Sequence, residues 1–228
     1  MGNKGNSRHI KRLAAPRYLH VEKKVSAYVT KPNAGRHTLE SSIALATVLK
    51  EKLGLAKNTK EAKRIVKSGG VEINGKVVKD ERFPLGFGDV VHFKPGNESY
   101  DVGAGRKGTV SIKRRDGEKD EQVFKVTGKY IAKGKSEMIR LYNGTVLPSA
   151  KGVRVNDSVI VKGGKVDSVI KLEKGARCFV IKGVHASESG TISGIKLGTA
   201  LRSATVEIDG DNGKTETSLE NVMVIGAK

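Results

Sequence analysis

Lys60, Lys63, Arg64 and Lys67 recur at helical spacing, and Lys76 and Lys79 follow within a dozen residues. Cations so placed, with no nucleophile and base beside them, are suited to neutralising a row of phosphates rather than to making or breaking bonds. Side chains able to do other chemistry are scattered. His9, His20, His37, His92 and His185 show no metal-ligand spacing, and the single Cys178 cannot complete a zinc site with them at any usual separation. That lone thiol excludes an internal disulfide, fits a reducing compartment and, between Arg177 and Phe179, reads as a core residue rather than a nucleophile. Gly103-Ala104-Gly105-Arg106-Lys107-Gly108 satisfies the G-x-G-x-x-G spacing, but a dinucleotide site needs a helix after it, and Thr109-Val110-Ser111-Ile112 reads as strand. A basic linker is the default for that stretch. No active site, cofactor, metal or small-molecule substrate is expected.

The cationic row needs an element that holds it on one side. Asn58 and Glu61 have the N-x-x-E spacing of a capping box, so a helix is predicted to begin there, and Gly69 supplies the left-handed residue that ends it. At 100° per residue Ala62, Ile65 and Val66 gather on one face and the four cations on the other. Val71 and Ile73 then alternate as a strand, and Asn74-Gly75 is a strong hairpin signal that places Lys76 and Lys79 on the returning strand.

Charge over the whole chain agrees. The 43 Lys and Arg against 24 acids give +19 in 228 residues; residues 1–95 hold twenty cations against eight acids, and residues 171–228 eight against seven. The expected partner is a polyanion. No apolar run approaches the roughly 18 residues of a spanning helix, and the N-terminus has no apolar leader, so a cytosolic location without membrane is expected. Ten Phe and Tyr with no Trp argue against a stacking platform for single strands.

The rest of the chain is read by period and turn chemistry. Residues 1–37 have no usable hydrophobic repeat, so they are predicted to be a disordered basic arm that folds on RNA. Thr38 is predicted to cap a first helix through Leu39, Ile43, Ala46, Leu49 and Leu53, packing on the second helix. Pro95-Gly96-Asn97 is the predicted boundary. Beyond it come short strand-like runs, Val110–Ile112, Val123–Val126, Met138–Leu141, Val153–Val155 and Val159–Val161, divided by the turn pairs Asp116-Gly117, Asn143-Gly144 and Gly163-Gly164. Asn221 to Gly226 is the predicted closing strand. The expected class is α+β with several small domains.

Four stretches resemble known families. Leu53-Gly54-Leu55-Ala56-Lys57-Asn58, Glu61-Ala62, Gly69, Val71-Glu72-Ile73-Asn74-Gly75-Lys76 and Gly88-Asp89-Val90-Val91 are similar to the S-four-like RNA-binding domain, in which the second helix and following hairpin contact structured RNA. The runs Arg8 to Pro16 and Lys31 to His37 resemble the N-terminal signature of the archaeal and eukaryotic small-subunit ribosomal protein S-four-e family, with Arg36 where that family usually has a second proline. Leu141 to Thr145 and Val153 to Ser158 resemble its central domain. Arg177 to Gly183 with Gly190-Thr191-Ile192 resembles a KOW motif, the start of a small SH3-like barrel, although Ser187 and Glu188 replace the usual glycine and basic residue.

Together these imply a basic arm at 1–37, an S-four-like domain at 38–95, a central β domain at 96–170 and a KOW-like SH3-type barrel at 171–228. The implied function is a structural constituent of the small ribosomal subunit that binds folded ribosomal RNA, beside neighbouring ribosomal proteins, in the cytoplasm and monomeric when free. The implied RNA contacts are Arg8, His9, Lys11, Arg12, Arg17, Tyr18, Lys23, Lys24, Arg36, His37, Lys57, Asn58, Lys60, Lys63, Arg64, Lys67, Asn74, Lys76 and Lys79. The alternative is an RNA-modifying enzyme or stress factor that borrowed the same module. Pseudouridine synthases of that kind carry an Arg-Leu-Asp tripeptide that this chain lacks.

Overall fold

Ile43 to Leu49 are seven consecutive buried residues, and a segment buried all round cannot show the amphipathic period of a surface helix. That is why the first helix begins later than its pattern predicts. A computed structural model of the chain describes residues 7–115, 122–150, 152–199, 202–210 and 213–226. Thr38 does not cap the helix: Leu39–Ser41 is a separate 3-10 turn, and Leu39 is exposed. Ile43–Ala44 is a short strand, and the helix proper is Leu45–Thr47 running into a π-turn at Val48–Lys52. β-branched Ile43 pairs with Leu85, which removes it from any helix.

The chain divides into two compact units, residues 1–103 with 109–116 and residues 104–108 with 117–228. In the first, β1 (His9–Lys11) pairs with β2 (Tyr28–Thr30). After β3 (Ile43–Ala44) come α1 (Leu45–Thr47, with its π-turn), α2 (Thr59–Lys67), β4 (Val71–Ile73), β5 (Lys76–Val77), β6 (Pro84–Leu85), β7 (Val90–Phe93), β8 (Glu98–Ala104) and β9 (Val110–Arg114). β3 pairs with β6, and a five-stranded sheet has the order β5-β4-β7-β8-β9. Pro95-Gly96-Asn97 therefore joins two strands of one sheet, and Val102 and Val110 lie in the same core as Leu49, Ala62 and Val66.

Residues 7–37 are not a separate arm. Leu19 and Val29 belong to that core, each such buried aliphatic side chain contributing about 1.5–3 kcal/mol. Short apolar anchors between cations left no period to read. Met1 to Asn6 lie outside the described residues.

The second unit has two five-stranded antiparallel sheets. The first contains β10 (Gln122–Ile131), β11 (Glu137–Leu141), β12 (Val146–Pro148), β13 (Ser158–Lys162) and β14 (Lys165–Ile170), in the order β12-β11-β10-β13-β14, and curls until its two edge strands approach. The other contains β15 (Arg177–Val180), β16 (Ser189–Lys196), β17 (Thr205–Gly210), β18 (Gly213–Ser218) and β19 (Val222–Gly226), in the order β18-β17-β16-β15-β19. Each sheet has its own core, around Phe124 and Ile139 in one and around Cys178 and Ile208 in the other. Asn143-Gly144 and Gly163-Gly164 connect strands as predicted, the second pair with φ of +54° and +78°. The Asp116-Gly117 pair lies outside the described residues.

Val153–Val155 is not a strand. Asp157 folds back to accept the Arg154 N–H at 2.9 Å, and Asn156 is left-handed at φ +75°, so the segment turns. The fold is thus mostly β, with its α-helices confined among the described residues to the first unit. None of them is long and apolar enough to cross a membrane.

Candidate nucleic-acid interface

α2 is built locally, and its ends are closed by the residues that predicted them. Asn58 Oδ1 accepts the Glu61 N–H at 2.9 Å, while Glu61 Oε2 accepts the Lys57 N–H at 2.7 Å, one residue further out than a standard capping box. At the other end Gly69, at φ +79°, donates to Val66 O and Gly70 donates to Ile65 O, the two bonds of a Schellman motif. Ala62 and Val66 are fully buried, which locks one face; Lys60, Arg64 and Lys67 stand exposed on the other. Lys63 is partly engaged, at 3.0 Å from Glu81. Partial burial pushes the Glu81 carboxyl up, but its Lys63 hydrogen bond and the Lys63 and Lys67 charges outweigh this and hold it below the usual carboxylate range. Asn74 and Gly75 take φ of +50° and +74°, the signature of a type I′ turn, and Lys76 and Lys79 are exposed beyond it. Lys57 is also exposed.

Several predicted contact residues are instead interior. Asp89, fully buried, is a hub: it accepts from Asn74 Nδ2 at 2.8 Å and from the Gly86 N–H at 3.1 Å, and meets His37 Nε2 at 2.9 Å. Arg36 approaches the same carboxylate at 3.7 Å and lies over the Phe83 ring. A Cβ at Gly86 would fall 2.4 Å from the His37 ring, so only glycine fits there. Arg12 is buried as well: it pairs with Glu51, donates to Glu22 O at 2.7 Å and to Ser26 Oγ at 2.8 Å, and so ties the β1–β2 region to the helix. His37, Asn74 and Arg12 are therefore fold-holding groups, and Asn58 is a cap. Tyr18 packs against the core. Arg8, His9, Lys11, Arg17, Lys23 and Lys24 are exposed.

The loop that carries Arg36 opens a cleft of about 620 Å³ lined by Arg8, Lys31, Arg36 and Arg82, with no carboxylate among its lining residues. Arg82 Nε donates to Lys31 O at 3.1 Å, which helps hold the wall. Lys31 and Arg82 were absent from the sequence-based set. Lys31 begins the Lys31–His37 run that resembles the N-terminal signature, a usable signal; Arg82 reaches the cleft only through the fold.

Residues 45–91 match the S4 domain and residues 4–40 match the RS4NT (NUC023) domain. Over 99% of its length the chain is 34% identical to the small ribosomal subunit protein eS4 of Methanosphaera stadtmanae, covering 95% of that protein. The chain belongs to the eS4 family. The eS4 protein of Archaeoglobus fulgidus is 31% identical, with 96% of this chain and 94% of that one covered. The crystal structure of the 30S ribosomal protein S4e from Thermoplasma acidophilum superposes with a TM-score of 0.69 at 28% identity, covering 82% of this chain and 96% of that one. In this eS4 family member the cationic face of α2 and the β4–β5 hairpin lie within the matched S4 domain, and Arg8 and Arg36 lie within the matched N-terminal domain.

Proposed function

We propose that this chain is a structural constituent of the small ribosomal subunit that holds folded ribosomal RNA through phosphate and shape contacts. The exposed Lys60, Arg64 and Lys67, on a helix whose opposite face is locked into the core, carry this conclusion. Lys57, Lys76 and Lys79 extend the face, and Arg8, Lys31, Arg36 and Arg82 offer a second group of phosphate contacts. Relatives over nearly the full length are named as ribosomal proteins, so the modifying-enzyme alternative is set aside. The last sheet is read as a KOW-like SH3-type barrel, supported by Ser187 keeping a glycine-like φ of +76° where the motif usually has glycine. Its near-neutral charge favours a protein neighbour over RNA. The assembly is cytoplasmic, and the chain is monomeric when free.

If about 6–10 phosphates are neutralised, affinity for small-subunit RNA falls about 10³–10⁵-fold between 50 and 200 mM salt. Combined Lys60→Glu, Arg64→Glu and Lys67→Glu should weaken binding and flatten that dependence while the chain stays folded, with only a small fall in melting temperature because Lys67 also faces Glu81. Unchanged affinity in filter binding would place the RNA on another face.

A further inference from the structure

The outer face of the β10–β12 sheet has no partner among the described residues. Residues opposite one another in antiparallel strands share a face. Lys129 opposite Ile139, and Ile139 opposite Leu147, mark the inner side, where Ile139 is fully buried. Tyr130, Met138 and Pro148 form one row of the outer side, and Gly128, Arg140 and Val146 the next. Tyr130 is 46% exposed and Val146 38%, and Arg140 and Pro148 are exposed too. A Cβ at Gly128 would meet the Arg140 guanidinium at 3.4 Å, so the missing side chain lets Arg140 lie across the strand on the face it shares with Tyr130.

Charge says what fits this face. The turn beyond it carries Lys133 and Lys135, both exposed, and is held by Ala132 N–H to Ser136 O at 2.9 Å and Lys135 N–H to Ala132 O at 3.2 Å. Among the described residues the carboxylate of that turn, Glu137, belongs to the inner side and is bonded to Lys129 at 2.8 Å. An exposed aromatic ring that shares its face with Arg140, next to a turn carrying Lys133 and Lys135 and with no acid on that face among the described residues, matches a base with its phosphates; an ordinary protein surface would supply no such excess of negative charge.

We propose that this face is a second RNA contact, in which Tyr130 stacks on one unpaired base while Arg140, Lys133 and Lys135 bind the adjoining phosphates. It rests on the RNA-binding function proposed above but uses residues of the second unit only. A single ring serves a single base, so the low aromatic content of the chain is no obstacle.

The test uses the full chain and transcribed small-subunit ribosomal RNA. Tyr130→Ala should lower affinity about 5- to 150-fold, the range of one base stack, and Tyr130→Phe should retain it. The chain has no tryptophan, so Tyr130→Trp makes a sole reporter at this position, and its emission should be quenched when RNA binds. If RNA is bound yet emission stays unchanged and Tyr130→Ala binds like the parent, this contact is overturned while the α2 face stands. Impaired entry of Tyr130→Ala into subunits with unaltered RNA affinity would overturn it in favour of a protein neighbour. Failure of the unaltered chain to bind RNA would remove both proposals together.

Discussion

Asp89 shows why one side chain can matter more than a row of charges. Its buried carboxylate satisfies Asn74 and Gly86 and meets His37, joining the N-terminal loop, the β4–β5 turn and the approach to β7. Replacing it with alanine strands buried donors and should cost on the order of 3–5 kcal/mol in urea unfolding, whereas Asp89→Asn keeps one acceptor and should cost less. A loss below about 1 kcal/mol would mean water replaces the carboxylate. The same network explains why His37 and Asn74 looked like contact residues. Their partner lies 52 and 15 positions away respectively, and Arg12 finds Glu51 at a separation of 39, so no local pattern could reveal that these polar groups are spoken for.

Elements differ in how local their determinants are. α2 was legible because caps, apolar stripe and cationic stripe all sit within a dozen residues. Its Asn58 cap accepts a single N–H, so Asn58→Ala should cost about 1 kcal/mol in thermal or urea unfolding, and Asn58→Asp should be neutral or slightly stabilising beside the helix N-terminus. An equal loss for both would show that the amide makes some other contact. α1 was legible as apolar but not in extent, since Ile43 and Ala44 were claimed by pairing with Leu85 and Pro84. Val153 to Val155 failed for the opposite reason: β-branched residues suggested a strand, and the Asp157 side chain made a turn.

On the scale of the second unit, polar bonds join its two sheets. Lys125, almost wholly buried, donates to Leu219 O at 2.5 Å and Glu220 O at 3.1 Å, and the Val224 N–H donates to Ser158 Oγ at 3.0 Å. Burial lowers the Lys125 ammonium to about 8, against a smaller upward pull from Glu220. Between about 8 and its ordinary value of 10.5 the unfolded chain holds a proton that the folded one has released, so this group makes stability rise with pH across that window. Cys178 opposes it from 9.0 upward, because burial raises its thiol to about 11 and the folded chain then keeps the extra proton. The unaltered chain should therefore gain on Lys125→Met as pH climbs from 8 to 10.5 in urea unfolding. Parallel curves would show that Lys125 has no shifted titration.

By sequence alone this protein was committed to a polyanion partner, to a capped cationic helix with its hairpin and to the turns at Asn74-Gly75 and Gly163-Gly164, because each depends on neighbours within a few residues. Only the tertiary structure decided which cations remain available to a ligand. It drew Arg12 and His37 inside, engaged the Asn74 amide with Asp89, and left Lys60, Arg64 and Lys67 outside. It also extended the first sheet past Pro95 and brought Arg82 to the cleft. Whether a polar group is exposed depends on which distant backbone or carboxylate packs against it, and that is settled by burial across the whole chain rather than by spacing within it.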